Sequence, residues 1–83
     1  MAKETISKQQ LSNLGKRLKA IRKAKGYTNY EHFAYQNDIN RAQYGRYENG
    51  ANISFKNLVK LIYAFDISIE EFFSEGFGVE TME

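Results

Sequence analysis

The chain has 83 residues, with 12 Lys and Arg against 10 Asp and Glu, a formal net charge of +2, no Cys, no Pro and one His. That length suits a single small domain burying roughly 60–65% of its unfolded surface, and argues against a large multi-pocket enzyme. Absence of Cys excludes a disulfide framework and a thiolate metal site, one His does not build a zinc centre, and no apolar run approaches the roughly 20 residues that cross a bilayer.

Hydrophobic spacing is helical rather than alternating along the chain. Leu11, Leu14, Leu18 and Ile21 recur at steps of 3, 4 and 3. Basic residues fill most positions between them, and Gly26 is a C-terminal stop, which predicts a first helix over about residues 9–25. Thr28 or Asn29 caps a short second helix carrying Phe33 and Ala34 and ending near Asn37 and Asp38. Ile39 plugs the turn. Asn40 caps a third helix that runs through Glu48 and stops at Asn49-Gly50. Ser54 caps a fourth, with Phe55, Leu58, Val59, Ile62 and Phe65 as its apolar stripe. Ser68, three residues before Glu71, has capping-box spacing and opens a last helical stretch bearing Ile69, Phe72 and Phe73.

The expected fold is therefore all-α, a compact bundle of about five short helices. Its expected organisation is a flexible N-terminal arm over 1–8, a domain over 9–75 and a flexible tail over 76–83, since neither end shows periodicity. No charged-then-apolar leader opens the chain.

The small net charge conceals a polarity. Residues 1–60 carry all 12 basic groups and four acids, a balance of +8, whereas residues 61–83 carry six acids and no Lys or Arg, a balance of −6. Such a split suits one face built for a polyanion and an end that is not, although two oppositely biased solvated surfaces would show the same arithmetic.

Helices two and three, joined by a tight turn, form a helix-turn-helix unit. The pieces LKAIRKAKGYT (18–28), Phe33-Ala34, DINRAQYGRYENG (38–50) and FKNLVKLIYAFDISIEEFF (55–73) occur in an order and spacing that resemble the Cro and phage-repressor family of DNA-binding domains. The resemblance covers about two thirds of the chain. It implies a bundle of about five helices whose third helix enters the major groove of double-stranded DNA.

On a helical third segment Tyr44 and Tyr47 face inward beside Ile39. Arg41, Ala42, Gly45 and Arg46 then lie largely outward, with Gln43 at an edge. Arginine can grip guanine O6 and N7 with two parallel hydrogen bonds, and glutamine can do similar work on adenine. By resemblance the base-reading positions are Asn40, Arg41, Ala42, Gln43 and Arg46, the two arginines foremost; the plainer reading leaves those arginines solvated or on phosphates. Gly45 costs about 1 kcal/mol against Ala in mid-helix. Either the helix approaches DNA closely there, or the space is needed by a bulky neighbour such as Tyr30.

The resemblance assigns phosphate contacts to Thr28, Asn29 and Tyr30 at the start of helix two, where free N–H groups and the helix dipole favour an anion. Tyr30 departs from the family's usual Gln, so its partner is open between phosphate, sugar and Arg41. Asn49, Asn52, Ser54 and Lys56 surround the loop after helix three and would meet the backbone on its far side, with Asn49-Gly50 also a simple helix stop. Lys3 and Lys8 would either follow the groove or belong to a loose end. Arg22 and Glu48 are implied as an internal ion pair that locks helix three to the scaffold, against a solvent-exposed Glu48.

Catalysis lacks a constellation: His32 is the lone imidazole on a short helix, and the C-terminal acids lie on helix surfaces or in the tail. Tyr27, Tyr44, Tyr47 and Tyr63 suit packing better than single-strand stacking. The expectation is a cytoplasmic, bacterial or phage-encoded transcription regulator, read as a repressor, that binds double-stranded DNA sequence-specifically. No cofactor, metal, membrane or small-molecule substrate is expected. The alternative is an antitoxin-like interaction module using the acidic, aromatic end: Phe65, Ile67, Ile69, Phe72, Phe73, Phe77 and Val79. Some of these close the bundle; leftover apolar surface would serve a homodimer through the C-terminal helix or a docked partner.

Overall fold

A computed structural model describes residues 3–78. Five helices follow one another: α1 (Lys3–Ala24), α2 (Tyr30–Gln36), α3 (Arg41–Glu48), α4 (Phe55–Ala64) and α5 (Ile69–Phe72). Among the described residues there is no strand.

Local chemistry sets the boundaries. The side chains of Asn29, Asn40, Ser54 and Ser68 accept from the backbone N–H groups of His32, Gln43, Asn57 and Glu71, so each occupies an N-cap and satisfies an otherwise unpaired donor. Gly26 (φ +95°) and Gly50 (φ +96°) turn the chain through the left-handed region after α1 and α3. Asp38 (φ +55°) and Asp66 (φ +61°) turn it after α2 and α4, a conformation aspartate tolerates better than most side chains.

Every helix contributes to one core. Leu14, Leu18 and Ile21 come from α1, Phe33 and Ala34 from α2, Tyr44 and Tyr47 from α3, Leu58, Leu61 and Ile62 from α4, and Phe72 from α5, with Phe65 and Ile67 between the last two. Phe33 is the hub. Its ring stacks on Phe65 at 4.5 Å, with Tyr27 and Tyr44 each 5.1 Å away. Truncating a fully buried Phe at such a position typically costs about 3–5 kcal/mol.

Four sequence expectations are corrected. First, α1 begins at Lys3 rather than near residue 9, so Lys3 to Lys8 are helical and not a loose arm. Ile6, Gln10 and Leu14 repeat at steps of four, Glu4 sits favourably in the first turn, and Gln10 Nε2 donates to the Phe77 carbonyl at 3.0 Å. Second, Phe77 is not part of a loose tail: it lies half-buried against Phe72 and Phe73 at 5.9 and 4.9 Å. Residues 79–83 of that expected tail, including Val79, fall outside the described residues. Third, Phe55 (64% exposed) is not in the α4 core stripe; Leu61 is, because the stripe tilts toward the 58, 61, 62 and 65 positions. Fourth, Tyr63 is on the surface at 63% exposure.

Arg17 ties the basic helix to the acidic end. Its Nε donates to Phe72 O at 2.7 Å, Nη2 to Glu71 O at 2.8 Å and Nη1 to Glu75 Oε1 at 3.0 Å. A cation thus meets the carbonyls at the C-terminus of α5.

Candidate nucleic-acid interface

Helix α3 is held from beneath. Tyr44 and Tyr47 enter the core, and α1 crosses so tightly that a Cβ added to Gly15 would fall 2.5 Å from Glu48 O and 2.8 Å from Tyr47 O. Those contacts are backbone and cannot yield cheaply. Gly15 was missed at the level of sequence, although a glycine inside an otherwise helical pattern is the signal that marks such a site.

Arg22 and Glu48 form the implied ion pair. Arg22 Nε reaches Glu48 Oε2 at 2.7 Å, Nη2 reaches Oε1 at 3.2 Å, and Nη1 donates to Tyr27 O at 2.7 Å. Side-chain exposure is 4% for Arg22 and 8% for Glu48, so the pair is buried and two-pronged. Its bonds to Glu48 hold the guanidinium pKa above even the usual arginine range, against the opposing effect of burial. Burial also pushes the neighbouring Tyr44 phenol well above its ordinary value, with the Glu48 carboxylate adding to the shift. Tyr44 Oη finds no hydrogen-bond partner among the described residues.

The outer face is different. Asn40, Arg41, Ala42 and Arg46 are exposed, and Gln43 is half-buried at the edge, as the helical phase requires. Gly45 is the exception to that expectation: it is buried, and a Cβ there would fall 2.8 Å from the Tyr30 ring. Of the two accounts of this glycine, the geometry carries the neighbour's bulk. Tyr30 itself lies over Gly45 and 6.2 Å from the Tyr44 ring. Arg41 instead faces Glu31 of α2, at 4.0 Å.

Several residues assigned to DNA contact already serve the fold. Asn29, Asn40 and Ser54 are N-caps, and Asn49 Nδ2 donates to Gly45 O at 2.9 Å, closing α3. Thr28 and Lys56 are exposed. Asn52 lines a groove with Ser7, Gln10, Leu11, Leu14, Phe73 and Phe77, between the first half of α1 and the C-terminal end. His32 is exposed, 6.0 Å from Tyr27 between ring centres.

Among the described residues no cluster of His, Cys, Asp and Glu is suited to a metal, and no helix is long and apolar enough to cross a membrane. What the arrangement offers is a short basic helix, pinned on one side and open on the other, behind a second helix joined by a tight turn. That is the architecture of a helix-turn-helix domain. The family profile described as helix-turn-helix matches residues 18–72, from α1 into α5, and the chain belongs to this family, of the Cro and phage-repressor type. It is a family of DNA-binding transcription regulators. No curated protein and no solved structure matches the chain.

Proposed function

We propose that the chain is a cytoplasmic transcription repressor, bacterial or phage-encoded, that recognises a specific double-stranded DNA site and acts by occupying it. The observation that carries this reading is the outer face of α3, where Arg41 and Arg46 stand exposed on a helix whose inner face is locked to the core. In the proposed complex Arg41 and Arg46 read base edges in the major groove, with Asn40, Ala42 and Gln43 on the same surface. Thr28, Asn29 and Tyr30 clamp the phosphates on one side, and Asn49, Asn52, Ser54 and Lys56 on the other.

Selection of bound sequences from random duplex DNA at two salt concentrations tests the reading. An enriched motif is expected, and Arg41→Ala should relax preference at particular base pairs by roughly 1–3 kcal/mol. Equal losses on specific and random DNA would reassign Arg41 to the backbone. Strongly salt-dependent binding with no enriched motif would overturn the specific-repressor reading.

Exposed apolar surface supports a second copy. Phe73 is 40% exposed beside half-buried Phe77 at the C-terminal end. A dimer through this end would space two recognition helices about 34 Å apart on a palindromic site. Light scattering at tens of micromolar decides it, and a monomer there removes the palindrome.

A further inference from the structure

Gln43 stands between a buried anchor and an exposed cation. Its Nε2 donates to Tyr47 Oη at 2.8 Å, and its Oε1 accepts from Arg46 Nη2 at 2.7 Å. Chemistry leaves the amide only this orientation. A guanidinium has donors alone, so Arg46 must meet the amide oxygen, and the amide nitrogen is then turned to the tyrosine hydroxyl. Tyr47 is 5% exposed, its ring fixed in the core, so the contact chain runs from the core to the outer face of α3. Arg41 has no such support: Glu31 is 4.0 Å away, and the two side chains are 67% and 57% exposed.

We propose that Gln43 and Tyr47 are positioning residues that hold the Arg46 guanidinium for base reading, and that Gln43 does not itself read a base. The proposal rests on the DNA-reading function above and deepens it. A glutamine that grips adenine uses its carbonyl oxygen and its NH₂ group together. Here one N–H and one oxygen lone pair of the amide are already committed to Tyr47 and Arg46. Its direction is thus set within the protein rather than by a base, and only what those bonds leave could meet adenine. Arg46, by contrast, commits one nitrogen to Gln43 and keeps the rest of its donor fork for the two acceptors of a guanine. Fixing a long side chain before binding lowers the ordering cost incurred on binding, which favours the base pair that the fixed geometry fits.

The test is sequence selection from random duplex DNA with the full chain and four variants, alongside melting temperatures. Arg46→Ala should erase preference at one base pair. Gln43→Ala and Tyr47→Phe should weaken preference at that same base pair by about fivefold, the effect of losing one ordinary hydrogen bond. Gln43→Glu keeps an acceptor for Arg46 and should retain that preference while lowering affinity on all DNA. Tyr47→Phe preserves the ring, so its melting temperature reports that the fold persists. The proposal is overturned if Gln43→Ala erases preference at a base pair that Arg46→Ala leaves intact, or if Tyr47→Phe matches the wild type at every position. A wild type that enriches no motif removes the DNA-reading function itself, and the positioning role with it. A wild type with a motif, but independent Gln43 and Arg46 positions, overturns the positioning role alone.

Discussion

The inner and outer faces of α3 share eight residues and almost nothing else. Inside, Tyr44 and Tyr47 are buried, Gly45 fits beneath Tyr30, and Glu48 is gripped at two oxygens by Arg22. Outside, Arg41, Ala42 and Arg46 face solvent, and the closest carboxylate to Arg41 stands at 4.0 Å. An eight-residue helix is too short to persist in water on its own. Its outer residues are therefore free to carry charge only because its inner residues supply the order. The contrast implies that inner-face changes should appear as lost stability, and outer-face changes as altered binding on an intact fold.

Breaking the ion pair should have the largest effect. Glu48→Ala leaves the Arg22 guanidinium buried without its carboxylate, and should destabilise by about 3–5 kcal/mol in chemical denaturation. An unchanged melting temperature would mean that the pair does not anchor α3. Gly15→Ala should follow at about 2–3 kcal/mol, because the added carbon meets the carbonyls of Tyr47 and Glu48 rather than a movable side chain. Motif selectivity per folded molecule should survive both changes, and its collapse in a still-folded variant would erase the division between the faces.

Gly45→Ala tests a contact of the second kind, in which the neighbour can move. It should destabilise by about 1 kcal/mol in the wild type. In a Tyr30→Ala background the sign should reverse, since alanine is the better helix former by about 1 kcal/mol once the ring is gone. A loss of the same size in both backgrounds would acquit Tyr30.

Tyr44→Phe should have the smallest effect and the most particular pH dependence. The hydroxyl has no hydrogen-bond partner among the described residues, so its removal should change stability at pH 7 by no more than about 0.5 kcal/mol. Burial raises the folded phenol above its unfolded value near 10, so the folded state keeps a proton that the unfolded chain sheds. The associated stability is complete below about pH 10 and declines as pH rises from there toward the folded value. Denaturation at pH 7 and pH 11 should show a shallower decline for Tyr44→Phe than for the wild type. A loss beyond about 1.5 kcal/mol at pH 7 would show the hydroxyl to be paired.

Much of this arrangement was legible in residue order because its causes are local. Caps at Asn40, Ser54 and Ser68, the stop at Gly50 and the inward phase of Tyr44 and Tyr47 follow from hydrogen-bonding capacity and a 3.6-residue period, while the choice of Asn29 over Thr28 as the α2 cap came with the structure. Less legible were features whose cause lies on another element. Phe55 and Tyr63 are apolar at positions of α4 that no helix covers, and Gly45 is buried although its phase is outward, because Tyr30 reaches over from α2. Helicity over Lys3 to Lys8 escaped a reading of periodicity because that turn has only Ile6 as a large apolar residue, and part of its support is Phe77, at the other end of the chain.

The charge split was complete in the sequence: a +8 stretch containing α1 to α3 and a −6 end. Composition along a chain is independent of its folding. The helix-turn-helix unit and the arginines of its second helix were likewise determined by order and spacing. Tertiary structure alone decided how the two charged regions meet, through Arg17 on the carbonyls of α5. Hydrogen bonds across 54 or 55 residues depend on distances that exist only once the helices have packed, whereas the Gln43 bonds to Arg46 and Tyr47 span three and four residues of one helix and need only that helix to form.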